Sequence, residues 1–325
     1  MSGSGMRILF LGYSRFVKKR ALNAAIAFGR FDAIAVASRS TLVENFLPPH
    51  RALTIYDDYQ YAIANFKPDV VYISLINSLH AEWAEKALLA GAHVIVDKPA
   101  FLDLSETTRL MGIAKSQNRC LAEAMVYSCH PQLAIAKQLF HDAGTEISRV
   151  SAFFTFPPLP NTDYRYQSAL GGGSLLDQGP YAASMCRLFM EEAPREVFVT
   201  INNHAESGDV EISFSVLAAF SRGRAFAGHF GFDTEYRNAV TLLGKNLSID
   251  INRVATIEPS LENILHISEN NQSRELSVPK YDNVVVFFEK FQKAVSMNNY
   301  AIFSDEMLQD AALRQRFHRV AREGG

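Results

Sequence analysis

A chain of 325 residues, 48% of them hydrophobic, is long enough for two domains that each bury a core. The formal net charge of −2, with acids and bases interspersed, leaves no basic stripe for nucleic acid or an anionic membrane surface, and no apolar run reaches the ~18 residues of a bilayer span, so a small-molecule partner is expected. Cys120, Cys129 and Cys186 are odd in number and widely spaced, with no Cys/His metal spacing, which suits buried thiols in a reducing cytoplasm and predicts no metal.

Ser-Gly-Ser-Gly at 2–5, ahead of a second methionine at Met6, reads as an appended remnant and is set aside. Residues 7–11 (RILFL) form a short apolar strand ending on Gly12, and the segment through Ala27 reads as a helix with Leu22, Ala25 and Ile26 on its apolar face. Strand, turn and helix in that order are the frame of a dinucleotide site. Its G-x-G-x-x-G/A fingerprint keeps only Gly12, with Ser14 and Val17 at the other two places. Taken alone, the loop is equally an ordinary turn of an α/β domain.

Apolar runs at 33–38, 70–76, 93–98 and 120–125 alternate with helical patterns at 59–65, 79–90 and 105–116. Continuous Val/Ile-rich strands between helices predict a doubly wound parallel sheet, and Gly91 stands where a helix C′ glycine belongs. Ligands of such sheets lie beyond the carboxyl ends of the strands. After the second strand comes Ser38-Arg39-Ser40, without the acid that would accept from an NAD ribose. A permanently charged guanidinium beside a hydroxyl suits a 2′-phosphate, unless Arg39 is merely a solvated surface residue. The next strand runs into Asn77 and His80, where Asn77 either caps the following helix or touches a cofactor. The strand after it runs into Asp97-Lys98-Pro99, where the proline restrains a lysine at the ligand edge; the plain alternative is a lysine reaching to solvent.

Beyond residue 148 the texture changes to alternating stretches at 148–156, 195–203, 209–220, 224–232, 238–244 and 246–253, read as antiparallel strands joined by hairpins. One helix is expected over 174–189 and a polar one over 304–321. The fold class is therefore α/β plus α+β: a Rossmann-type parallel sheet over 1–123, then a large, open, mostly antiparallel sheet over 124–325, the C-terminal helix able to return to the first domain. So large an open face predicts a homodimer or homotetramer packed through that sheet. Within 164–189, Gly171, Gly172 and Gly173 allow a close backbone approach, and Asp177 and Tyr181 are four apart, hence on one helix face. A buried tyrosine satisfied by that aspartate would be the purely structural alternative. Pro180 either breaks this helix or marks its start.

With DKP at 97–99 and GGGSLLDQGPY at 171–181, the chain resembles the Gfo/Idh/MocA family of oxidoreductases over nearly all of residues 6–325. Family motifs "EKP", "GGG-x-L-x-D-x-G-x-[YH]" and "P-N-x-x-H" look like 97–99, 171–181 and 76–80, with weaker matches at 123–131 and 230–238. The resemblance implies hydride exchange between nicotinamide and a carbonyl or hydroxyl of a sugar or nucleotide-linked sugar, with NADP(H) favoured over NAD(H). It implies Lys98, Tyr181 and Asp177 as catalytic residues: Tyr181 as proton donor or acceptor, Lys98 between nicotinamide ribose and substrate, Asp177 orienting the substrate. Gly12, Tyr13, Ser14, Arg15, Phe16, Ser38, Arg39, Leu75, Asn77, His80, Asp97 and Lys98 would bind cofactor, and Arg165, Tyr166, Asp177 and Tyr181 substrate. Tyrosine at 181 and Arg165 point to the glucose–fructose oxidoreductase, dihydrodiol dehydrogenase and sugar-3-ketoreductase branches. Tyr236 and Arg237 are further candidates for an anionic, aromatic ligand, or for surface roles. Asp97 for Glu, Ile76 for Pro and the two lost glycines depart from the family pattern, leaving a non-catalytic NADP(H)- or sugar-sensing regulator as the alternative. Ser14 could instead donate its own hydroxyl to a phosphate, with Arg15 and Arg39 supplying charge.

Overall fold

The computed structural model describes residues 6–39, 53–208 and 210–323; Ser40 and the 2–5 segment lie outside them. The chain divides into two compact units, Met1–Val126 with Val284–Leu308, and Tyr127–Asn283 with Gln309–Gly325.

In the first unit, β1 (Met6–Leu11), β2 (Phe31–Ala37), β3 (Leu53–Tyr56), β4 (Val70–Ile73), β5 (His93–Val96) and β6 (Leu121–Glu123) form a parallel sheet in the order β3-β2-β1-β4-β5-β6. The sequence reading misses β3, four residues at the sheet edge whose half-exposed side chains give no apolar run. Ile8 to Leu11 are wholly buried, and each such side chain contributes roughly 1.5–3 kcal/mol. A helical run over 15–28 follows β1, opening with a π-turn (Val17–Ala21) and continuing as α1 (Leu22–Phe28).

Helices α2 (Tyr59–Phe66), α3 (His80–Leu89) and α4 (Leu104–Ser116) cover one sheet face, burying Tyr59, Phe66, Trp83 and Leu110. Asp58 and Asp103 cap α2 and α4 by accepting from the amides of Tyr61 and Glu106, and Gly91, at φ +86°, ends α3 as expected.

In the second unit, α5 (Pro131–Asp142) precedes β7 (Arg149–Thr155), and two short helices, α6 (Ser174–Asp177) and α7 (Gly179–Met190), lead to β8 (Glu196–His204), β9 (Glu211–Ala219), β10 (Ala225–Gly231), β11 (Arg237–Leu243), β12 (Leu247–Asn252), β13 (Asn263–Glu269) and β14 (Gln272–Val278). Their order is β14-β13-β12-β11-β7-β10-β9-β8. The all-hairpin expectation needs one correction. β7 pairs parallel with β10 and antiparallel with β11, because the chain leaves β7 through α6 and α7 and returns by β8 and β9. The reading also misses β13 and β14, whose hairpin turns on Asn270 and Asn271, both at positive φ, the conformation that asparagine tolerates best among non-glycine residues.

The helix expected over 174–189 is broken. Gln178 lies between α6 and α7, and Pro180 occupies the first turn of α7, where its missing N–H removes no helical bond. Asp177 and Tyr181 therefore do not share one helix face.

The chain ends in α8 (Asn283–Ser296) and α9 (Ala301–Glu323), the latter containing the expected 304–321 segment. α8 brings Phe288 to 6.0 Å from Phe28, 5.5 Å from Phe31 and 6.3 Å from Tyr72. Among the described residues no helix is long and apolar enough to cross a membrane.

Candidate active site

The strand order reverses between β1 and β4, the crevice at which doubly wound sheets bind ligands. Gly12 ends β1 at φ +95°, and a Cβ there would stand 2.2 Å from the Ser74 carbonyl oxygen. The one retained glycine of the fingerprint is thus required by the close approach of the β1 and β4 strand ends. Tyr13, Ser14 and Phe16 are half-buried and Arg15 is exposed, all at the start of a helical run whose amides suit an anion. Beyond β2, Ser38 is buried, and the exposed Arg39 holds its guanidinium 5.0 Å over the Tyr59 ring. That stacking fixes the cation beside the strand end where a 2′-phosphate would lie.

Ser14 does not stand ready to donate to a ligand. Its hydroxyl is 2.7 Å from the Ser74 hydroxyl and accepts from the Val17 amide at 3.1 Å. Ser74 donates to Asp97, whose other oxygen accepts from the Tyr72 hydroxyl at 2.6 Å. Burial raises the Asp97 pKa above the ordinary carboxylate value, while the bonds from Ser74 and Tyr72 and the charges of His80 and Lys98 oppose the rise. Burial and the Asp97 charge both push Tyr72 well above the usual phenol range, so it stays a donor.

His80 is 1% exposed, and its ring nitrogens lie 2.9 and 3.0 Å from the carbonyl oxygens of Pro99 and Leu75. It joins the β4 end to the segment after Lys98, a positioning role. Asn77 is buried in a 3₁₀ turn (Asn77–Leu79) whose preceding residue, Ile76, supplies no side-chain cap.

In the second unit Gly172 and Gly173 approach their own chain. A Cβ on Gly172 would meet the carbonyl oxygens of Arg165, Gln167 and Tyr164 at 2.6, 2.7 and 2.8 Å; one on Gly173 would meet the Glu211 carboxylate at 2.6 Å. Glu211 also accepts from the Leu175 amide at 2.9 Å, holding the start of α6. This packing sets Asp177, 3% exposed, with its carboxylate 3.1 Å from Arg165 Nε, while Arg165 also reaches Asp163 at 3.1 Å. Arg165 thus orients Asp177. The Tyr166 hydroxyl accepts from the Leu159 amide at 3.0 Å, and its ring stands edge-on to Phe232 at 5.4 Å; it braces the 159–166 loop.

Half-buried Tyr181, two residues into α7, is gripped by its ring, 4.8 Å from Phe154 and 5.5 Å from Tyr127. The Tyr127 and Ser184 hydroxyls are 2.7 Å apart, and Ser184 donates to the Pro180 carbonyl at 2.7 Å, tying the first turn of α7 to Tyr127. Tyr236 donates towards or accepts from Thr256 at 3.3 Å and accepts from Asn238 at 3.2 Å, while Arg237 is exposed on β11. Sequence reasoning missed Ser74, Tyr72, Glu211, Tyr127 and Ser184. Tyr72 and Ser74 were readable as two hydroxyls at alternate positions of an otherwise apolar strand, whereas Glu211 and Tyr127 become partners only through tertiary packing.

The model of an oxidoreductase family with an NAD-binding Rossmann fold matches residues 6–125, and that of the GFO/IDH/MocA C-terminal domain matches residues 141–250. A dTDP-3,4-didehydro-2,6-dideoxy-alpha-D-glucose 3-reductase of Saccharopolyspora spinosa is 31% identical over 98% of both chains. A D-xylose 1-dehydrogenase (NADP(+)) of Haloferax volcanii is 29% identical over 73% of each chain. Among solved structures, a 3-ketoreductase from Actinomadura kijaniata in complex with NADP and TDP-benzene superposes with a TM-score of 0.89 at 28% identity, covering 97% of this chain and 98% of that one.

Proposed function

The chain belongs to the GFO/IDH/MocA family of oxidoreductases, and on that footing we propose that it reduces a keto group of a nucleoside-diphosphate-linked sugar with NADPH. The observation that carries the substrate class is the end-to-end similarity to a dTDP-keto-sugar 3-reductase, supported by the NADP and TDP-benzene complex of the Actinomadura enzyme. The residues present fit the dinucleotide: a helix start after β1 for the pyrophosphate, and a stacked Arg39 with no acid after β2 for the 2′-phosphate.

When bound, the cofactor supplies hydride to the carbonyl carbon. Tyr181 gives its phenolic proton to the carbonyl oxygen, and the Lys98 ammonium favours the resulting phenolate and stabilises negative charge on that oxygen. Asp177, held by Arg165, orients the sugar hydroxyls. An NADPH-oxidation assay over keto-sugars and nucleotide-linked keto-sugars tests this. Turnover restricted to nucleotide-linked substrates is the expected result. Silence across the panel despite tight NADPH binding overturns this substrate class.

Arg39→Ala should raise the NADPH Kd by about 10- to 100-fold and leave that for NADH within a factor of two, because charge-assisted bonds to the 2′-phosphate are lost. Equal effects on both cofactors would sink this role. The outward face of the second sheet carries Phe198 (58% exposed) beside Leu217 (49% exposed), continuing through Ala227 to the stacked Phe153 and His229. We assign this apolar stripe, rimmed by the polar β8 residues Thr200 and Asn202, to a second copy of the chain. Leu217→Asp should convert the wild-type oligomer to monomer in sedimentation velocity; a monomeric wild type would refute the assignment. We propose a cytoplasmic setting, because the three cysteines are odd in number and widely spaced.

A further inference from the structure

We infer that Ser14, Ser74 and Asp97 form one directional relay that sets the turn after β1 for the cofactor pyrophosphate, making Ser74 and Asp97 positioning residues for cofactor binding. The inference rests on the NADP(H) reading above. Ile73 of β4 lies opposite Val96 of β5, so the next residues, Ser74 and Asp97, meet at the two strand ends. A carboxylate only accepts, and Asp97 takes hydrogens from Tyr72 and Ser74. With the Ser74 hydrogen committed, the bond between the two serines must run from Ser14 to Ser74. The Ser14 oxygen is then left to accept from Val17. A single hydrogen per hydroxyl therefore orders the whole path, from the helix start to the carboxylate preceding Lys98.

Two consequences follow for the turn. The Ser14 hydrogen points away from any ligand, so the pyrophosphate is left to main-chain N–H groups and Arg15. A serine at this place also serves a purpose glycine could not, since glycine has no hydroxyl with which to reach Ser74. The short acid at 97 and the serine at 14, separate departures from the family pattern in the sequence, are ends of the same hydrogen-bonded path.

The test combines Ser14→Ala, Ser74→Ala, their double variant and Ser74→Thr. NADPH affinity is read by fluorescence titration, and amide exchange of the 12–18 segment is read without cofactor. Each alanine should weaken NADPH by about threefold to tenfold and speed exchange at Val17. The double variant should be no worse than the weaker single, and threonine should restore binding to within twofold. Effects that multiply in the double variant, or unchanged exchange at Val17, overturn the relay. If the wild type binds no NADPH, the cofactor reading falls; faster Val17 exchange in both singles would then still uphold the relay as a device that orders the turn, and unchanged exchange would remove it too.

Discussion

Tyr181→Phe is expected to lower kcat by about 10²- to 10⁴-fold, the range general acid catalysis contributes, with NADPH affinity unchanged. The ring packing survives the substitution: Phe154 stands T-shaped and Tyr127 tilted against the ring, and phenylalanine keeps both contacts. What the variant removes is the hydroxyl proposed to give up the proton. Steady-state kinetics with an identified keto-sugar, beside a direct measurement of cofactor binding, would separate chemistry from binding. Near-full turnover in the variant would remove Tyr181 from the mechanism.

Lys98→Ala is expected to be of similar size, a loss of about 10²- to 10³-fold in kcat, with NADPH binding largely kept. If the two side chains act on one developing charge, as proposed, the double variant should be little worse than either single. A local effect accompanies it. The Lys98 charge opposes the upward shift of Asp97, so removing the ammonium lets burial raise that carboxyl further. A variant in which NADPH affinity collapsed while kcat survived would show that Lys98 binds cofactor and does no more.

Strand ends and glycines made the site readable in the sequence. Gly12, Arg39, Lys98 and Tyr181 could be picked out because runs of Val and Ile end beside them or glycines precede them, and these are local patterns. The short β3 has no such signature: at a sheet edge its side chains are half in water, and its pairing with β2 supplies what its composition does not. The break at Gln178 was legible through Pro180, yet the spacing of Asp177 and Tyr181 favoured an unbroken helix over a proline at a helix start. The tertiary partners of Arg165, Tyr166 and His80 were not readable for a common reason. Their side chains are committed to Asp177, to the Leu159 main chain and to two carbonyl oxygens, all partners chosen by tertiary packing. Within the triple glycine a close approach was expected, and what Gly172 and Gly173 approach is the chain's own carbonyl oxygens and Glu211.

The phenylalanines of α8 bear on the order in which the molecule can be made. A ribosome releases β1 to β6 long before it reaches residue 284, and until then Phe28, Phe31 and Tyr72 lack the aromatic cover that Phe288 provides. The nucleotide-binding half is first in synthesis and among the last to be finished. The nascent chain must carry an unsealed sheet past the whole of the second unit, a window in which apolar surface is open to chaperones or to neighbouring chains.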